Sequence, residues 1–150
     1  MWVTTAAPRV ENEAALTTRW GGIPTLADFI MSAEHSLFTT ALGLSAPWEV
    51  TEVRFDPKGG RIDFDVAFAP GSRFACPACG AQAQAVHDTR ARSWRHLQFF
   101  QFEAHLHASI PRVQCEQCGK TSQVPVPWAR KGSGFSQFFE ALVVALAALF

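Results

Sequence analysis

Two stretches near the middle of the chain alternate apolar and polar residues with the two-residue period of a half-buried β-strand. They cover residues 49–55 and 61–68, and the Asp-Pro-Lys-Gly-Gly sequence at 56–60 lies between them with the composition of a turn. The pattern predicts a β-hairpin with one wet face. Asp63 and Asp65 share that face, where acidic residues more often serve solubility than catalysis.

A second pair of strand-like runs covers residues 86–97 and 100–113. In the later run, apolar residues at the even positions from Phe100 to Ile110 alternate with polar ones that include His105 and His107. The two runs predict a second hairpin. Its histidines fall on the polar strand face, where an ordinary solvated histidine is expected.

A short helix is predicted at 33–42, with Ser32 as its N-cap and Gly43 as its stop. Residues 1–30 show neither the helical nor the strand period, so they are predicted to be a disordered leader. Met31 is then a candidate translation start.

The end of the chain predicts a second helix. After the flexible segment 131–134, apolar residues recur at helical spacing from Phe135 to Phe150, and the opposite face is rich in alanine. The run stops without a glycine cap or a basic last turn, so the helix is interpreted as truncated and in need of a partner.

Composition places the chain among folded proteins, with 48% hydrophobic and 17% charged residues. Residues 1–70 carry five basic and nine acidic side chains, whereas residues 71–150 carry eight basic and four acidic ones. The second half is therefore the one suited to phosphate. We expect a cytoplasmic protein without membrane contact, because no secretory signal or 20-residue apolar span is present.

The strongest chemical signal is a pair of Cys-x-x-Cys-Gly motifs. Cys76 and Cys79 form one pair, and Cys115 and Cys118 form the other, each followed by glycine. Two-residue spacing lets both thiolates of a pair bind one ion, and four thiolates make a closed structural zinc site. The predicted hairpin between the pairs would bring them together as in zinc ribbons.

Other interpretations of the cysteines stay open at this point. They are an iron–sulfur cluster, a thioredoxin-like redox pair and four free thiols. The two latter interpretations are weak, since the βαβ context of a redox pair is absent and free thiols would not explain the repeated glycine. A nearby histidine could also replace one thiolate, the candidates being His87, His96, His105 and His107.

We call the two Cys-x-x-Cys-Gly motifs the knuckles. Basic side chains near them are candidates for contacts with DNA. Strand alternation places Arg90, Arg92 and Trp94 on one face and Arg95 on the other, which suggests a surface for phosphate binding and base stacking. The alternative is that Trp94 packs into the core while the arginines are merely solvated. Further candidates for backbone contacts are Arg112, Arg130 and Lys131.

These motifs resemble the N-terminal region of insertion-sequence transposases of the ISL-three family. The resemblance extends over residues 37–148 and rests on the segments 37–44, 76–80, 87–90, 94–101, 111–115 and 126–130. It implies a zinc finger, then a helix-turn-helix region beginning at the C-terminal helix, and then a catalytic domain with an acidic metal-binding triad. The chain ends before such a domain, so we expect no strand-cutting activity from this polypeptide alone.

The combined prediction is a small α+β fold in which a zinc-ribbon-like four-cysteine site organises β-hairpins between a short N-terminal helix and an apolar C-terminal helix. Its predicted segments are a disordered leader at 1–30, a helix with a hairpin at 31–70, a zinc ribbon at 71–127 and a linker with a truncated helix at 128–150.

The predicted function is a zinc-binding module that recognises transposon ends for a transposase. Two alternatives stay open. One is a module for protein interaction and assembly, through self-association or contact of the C-terminal helix with full-length transposase. The other is a non-functional transposase relic.

Overall fold

The computed structural model describes residues 26–149. Its elements are, in order, α1 (Leu26–Ala41), β1 (Trp48–Asp56), β2 (Arg61–Phe68), β3 (Val86–Arg95), β4 (Glu103–Gln114), β5 (Thr121–Gln123) and α2 (Gln137–Ala147). The strands form one five-stranded sheet in the order β1-β2-β4-β3, and β5 pairs with β4. The prediction of a small α+β fold is confirmed.

The first hairpin forms as predicted. Strands β1 and β2 pair antiparallel, from Trp48 opposite Phe68 to Asp56 opposite Arg61. Asp56 closes the turn, because its Oδ1 accepts hydrogen bonds from the amides of Lys58 at 3.1 Å and Gly59 at 2.9 Å. The Asp56 carboxylate thus accepts hydrogen bonds from two turn amides that have no partner in the strands.

The second hairpin also forms, with shorter strands than predicted. Strands β3 and β4 pair antiparallel, with Trp94 opposite Leu106. The connection is longer than the sequence indicated, since β3 ends at Arg95 and β4 begins at Glu103. Phe100 is not a strand residue, because it has a φ of 55° and its side chain is 82% exposed.

Parallel pairing of β2 with β4 joins the two hairpins into one sheet. The register runs from Arg61 opposite Glu103 to Val66 opposite Ala108. The segments that the sequence divided at residue 70 therefore share one sheet. Its apolar face is buried under α1 and the chain after β5, and Phe64 at its centre is fully buried.

Helix α1 begins earlier than predicted and ends as predicted. It starts at Leu26, so the prediction of Ser32 as N-cap is wrong, and residues 26–30 of the predicted leader are helical; residues 1–25 lie outside the described part of the chain. Gly43 has a φ of 68°, and its amide and that of Leu44 bond back to Thr40 and Thr39. This double bond pattern is a Schellman stop.

Trp128 is part of the core, although the sequence placed it in a linker. Its ring packs edge-on against Trp48 at 4.9 Å and against Trp94 at 5.5 Å between centroids, and only 4% of the residue is exposed. The segment that follows β5 therefore closes the apolar face of the sheet.

Helix α2 is anchored at its N-terminus. Ser136 is fully buried, and its Oγ accepts a hydrogen bond from the amide of Phe139 at 3.3 Å and lies 2.7 Å from Nδ1 of His96. None of the residues from Gln137 to Ala147 is buried. Within residues 26–149, neither helix combines the length and the apolar character that crossing a bilayer requires.

Candidate metal centre and nucleic-acid interface

The two knuckles have the same backbone geometry. The amide of Cys76 donates to Ala81 O at 2.8 Å, and the amide of Cys115 donates to Lys120 O at 3.0 Å. Gly80 has a φ of 77° and Gly119 a φ of 69°, a left-handed conformation that glycine adopts without strain. The repeated glycine is thus explained by the turn that folds each pair of thiols toward one point.

The four cysteines meet at one end of the β3–β4 hairpin. The Sγ atoms of Cys76 and Cys118 lie 3.8 Å apart, those of Cys79 and Cys115 lie 3.5 Å apart, and all four lie within 4.8 Å of one another. A tetrahedral zinc ion with Zn–S bonds of about 2.3 Å separates its thiolates by about 3.8 Å. The arrangement fits one four-coordinate zinc ion with no open position for substrate.

The same geometry decides between the other interpretations of the cysteines. A cluster with bridging sulfides would hold its four thiolates farther apart than a single ion does. The knuckles flank a β-hairpin rather than a βαβ unit, which excludes the thioredoxin-like context. Among the described residues, no histidine joins the cysteine group. A structural zinc ion would be held by the cysteines alone.

Backbone amides favour thiolates in the second knuckle. The amide of Cys118 lies 3.4 Å from the Cys115 sulfur, and this hydrogen bond lowers the pKa of Cys115, whereas the contact with Cys115 raises the pKa of Cys79. Because metal binding requires thiolates, such amides assist loading near neutral pH.

Gln84 links the two knuckles and was not singled out from the sequence. It is 7% exposed, and its Oε1 accepts a hydrogen bond from the amide of Glu116 at 3.0 Å, while its backbone pairs with Phe74 at 2.8 and 3.0 Å. The loop after the first knuckle is therefore hydrogen-bonded to the second knuckle. In the sequence, only its position among alternating alanines could have drawn attention to this residue, and that signal is weak.

Trp94 is not available for stacking on a base. The residue is 2% exposed, because its face of β3 is covered by the segment containing Trp128. The stacking prediction for Trp94 is therefore wrong, and the alternative of a core tryptophan is right. Arg92 lies near the rim of this core, with its guanidinium carbon 5.9 Å from the centroid of the Trp94 ring.

Three of the predicted DNA-contacting arginines are paired with carboxylates of the protein. Arg112 forms a two-point ion pair with Asp88, and Arg95 bonds Glu103 at 2.9 Å. Arg130 bonds Glu140 through two nitrogens, at 2.7 and 3.0 Å. Their positive charge is partly neutralised within the fold.

The other predicted cations are free to meet a partner. Within residues 26–149, no ion pair involves Arg90, Arg92 or Lys131. Arg92, Arg130 and Lys131 line one depression of about 130 Å³, whose floor includes Trp94 and Ile110. We call it the β3 notch. The fold brings these three cations together from positions 38 residues apart, which the sequence pattern did not predict.

The polar sheet face carries Asp63 and Asp65 in ion pairs. Asp63 bonds Arg61 at 2.7 Å and lies 2.5 Å from Nε2 of His107, and Asp65 pairs with Arg54. The Arg61 guanidinium holds the pKa of Asp63 far below its ordinary value. A carboxylate held ionised in this way is a poor proton acceptor, which agrees with the solubility role predicted for this face.

The segment that contains the four cysteines matches a known protein family. Residues 72–118 match the family described as the zinc-finger of transposase IS204/IS1001/IS1096/IS1165. The transposase for insertion sequence element IS1557 of Mycobacterium tuberculosis, from strains CDC 1551 / Oshkosh and ATCC 25618 / H37Rv, is 32% identical over an alignment of 117 residues. The alignment covers 74% of this chain and 26% of that protein.

A second relative matches a shorter part. The transposase for insertion sequence element IS1001 of Bordetella parapertussis is 38% identical over 53 residues, or 35% of this chain and 13% of that protein. No solved structure matches the chain. The chain spans about a quarter of the length of the IS1557 relatives.

The matched family region contains all four cysteines, and their sulfurs have the separations of a zinc site. The predicted resemblance to the N-terminal zinc-finger region of insertion-sequence transposases of the ISL-three family is therefore confirmed by the match of residues 72–118 and by the transposase relatives.

Proposed function

We propose that the chain is a DNA-recognition module that binds transposon ends for an insertion-sequence transposase. The observation that carries the proposal is the surface next to the zinc ribbon, where Arg92 and Lys131 lie in the β3 notch without a carboxylate partner among residues 26–149. Arg90 is exposed two residues before Arg92. Free cations beside a rigid strand supply the backbone contacts that position a protein on DNA.

The zinc site has a structural part in this function. When bound, zinc would supply cross-linking of the two knuckles and no reaction chemistry, because all four ligand positions are taken by cysteine. Cys76, Cys79, Cys115 and Cys118 would hold the ends of β3 and β4 in register, and the arginines on β3 would depend on that register for their spacing. Our expectations that the chain alone cuts no DNA and that it acts in the cytoplasm stay predictions.

Fluorescence anisotropy tests the proposal directly. A labelled duplex carrying an end of the element is titrated with the zinc-loaded chain, in parallel with a scrambled duplex. The Arg90→Gln, Arg92→Gln double variant should weaken binding and reduce the slope of log affinity against log salt by about 0.9 for each lost phosphate contact. Zinc removal should abolish any preference for the element end.

The matched control is Arg54→Gln, which removes the same charge from β1 at the other side of the sheet, where Arg54 pairs with Asp65. It should leave the salt slope unchanged. Equal losses for both arginine positions would show only a dependence on net charge, and absence of binding to either duplex would exclude the module.

A second candidate is supported by α2. Its apolar side chains are exposed, with no buried residue from Gln137 to Ala147, as expected for a helix that packs against a partner or begins a helix-turn-helix region. In that case the chain would assemble with itself or with full-length transposase. Leu142→Gln would then abolish association in sedimentation velocity while DNA binding is retained. A relic would instead aggregate even when zinc is supplied.

A further inference from the structure

One cation of the β3 notch is held by a carboxylate that lies outside it. The Arg130 guanidinium bonds both oxygens of Glu140, with Nε to Oε2 at 2.7 Å and Nη2 to Oε1 at 3.0 Å. Ser133 Oγ adds a hydrogen bond to Oε1 of the same carboxylate at 2.6 Å. Glu140 belongs to the first turn of α2, so this contact ties α2 to the loop that carries Arg130.

The notch offers an anion a set of cations and no competing acid. Of its twelve lining residues, Arg92, Arg130 and Lys131 are positively charged and none is acidic. A tetrahedral oxyanion is the group that such a set of side chains recognises, with the planar guanidinium giving two parallel hydrogen bonds.

The Arg130–Glu140 pair is open to a competing anion on the arginine side. The Arg130 side chain is 71% exposed, whereas the Glu140 side chain is 22% exposed. A carboxylate and a phosphate present the same two-oxygen edge to a guanidinium, so one can replace the other without moving the arginine far. The carboxylate thus occupies Arg130 only as long as no stronger anion enters the notch.

We propose that the β3 notch binds one backbone phosphate of DNA, and that Glu140 competes with that phosphate for Arg130. This inference rests on the proposed DNA-binding function and names the site and its regulation. When the phosphate enters, Arg130 changes partner and α2 loses its Glu140 contact with the loop, while the buried Ser136 still anchors the start of the helix. Binding of DNA and the attachment of α2 are then coupled, and by reciprocity a partner that draws α2 away strengthens DNA binding.

A double-mutant cycle on the full chain tests the competition. Salt-dependent anisotropy on a labelled duplex is measured for the wild type, Glu140→Gln, Arg130→Gln and the double variant, all zinc-loaded. Glu140→Gln should strengthen binding about three- to tenfold at low salt with little change in the salt slope, because Arg130 contacts the phosphate in both complexes. In the Arg130→Gln background the same change should have no effect.

Two controls separate this mechanism from simpler ones. Glu52→Gln removes the same charge from β1 and should leave both the affinity and the slope unchanged. Thermal unfolding of each variant identifies a loss of folding. Lys131→Gln is the second probe of the notch, since its side chain has no ion pair among the described residues, and it should lower the slope without affecting α2.

The outcomes distinguish the two levels of the proposal. Stronger binding of Glu140→Gln only when Arg130 is present supports the competition. A wild type that binds DNA while Glu140→Gln has an unchanged affinity, or gains equally in the Arg130→Gln background, overturns the competition and leaves the DNA-binding module standing. Failure of the wild type and every variant to bind any duplex overturns the module and the notch together.

Discussion

The two ends of the β3–β4 hairpin are stabilised in different ways. At the knuckle end the buried apolar cluster consists of Cys76, Ala81 and Cys115, with Cys118 packed against it. The rest of the hairpin packs on the main core, in which seventeen buried residues of the described chain include three tryptophans. Apolar burial contributes about 25 cal/mol per Å², so the small knuckle cluster cannot hold its loops by packing. Zinc supplies that stability instead.

We therefore expect the two ends of this one hairpin to unfold separately. Structural zinc contributes about 10–16 kcal/mol of apparent binding free energy, which is comparable with the whole stability of a typical domain. The aromatic end needs no metal for its contacts, because its rings interlock across the sheet and the closing segment.

Removal of zinc should have the largest effect. Chelation, or Cys115→Ser, should take bound zinc from one ion to none and leave residues 72–85 and 114–121 without hydrogen-exchange protection. Emission from the buried Trp48 and Trp128 should stay blue-shifted, because the metal is not part of their contacts. Simultaneous exposure of the tryptophans with zinc loss would show that the two ends unfold as one unit.

Truncation of the aromatic core should have the next largest effect. Trp128→Ala should lower the free energy of unfolding by about 3–5 kcal/mol, because it leaves a cavity between Trp48 and Trp94. Bound zinc should stay at one ion per chain, as measured by metal analysis of the purified variant. Phe100→Ala, at an exposed turn residue, is the control and should change stability by less than about 0.5 kcal/mol.

The smallest effect is expected at the link between the knuckles. Gln84→Leu should lower zinc affinity about tenfold in a competition titration, because the amide of Glu116 loses its acceptor and Cys115 is less well oriented. The matched control is Gln117→Leu, an exposed change within the second knuckle, which should alter affinity less than about twofold. Equal affinities for the two variants would show that Gln84 has no part in positioning the ligands.

Local chemistry made much of the zinc site predictable. The glycine after each cysteine pair predicted the turn that the structure shows at Gly80 and Gly119, and the strand alternation predicted which face of β4 is buried. Gly43 was recognisable as a helix stop for the same reason, since its left-handed backbone is a local property. Helix α1 was predicted too short, because its first turns carry no pattern in the sequence that marks their start.

Features that depend on distant partners were not predictable. Alternation placed Trp94 and Arg92 on the same strand face, but it did not show that Trp128 covers the tryptophan and leaves the arginine at the rim. The charge count likewise did not show which arginines are neutralised, since Arg130 and Glu140 become partners only after α2 attaches.

The two cysteine pairs and the two hairpins were predictable from the sequence, because each of these depends on residues close along the chain and on the backbone preferences that they carry with them. The sequence did not predict that β2 pairs parallel to β4, that Trp128 completes the core or that three cations share the β3 notch. The reason is that these contacts join segments far apart along the chain, and which of many possible pairings forms is decided by the packing of the whole sheet.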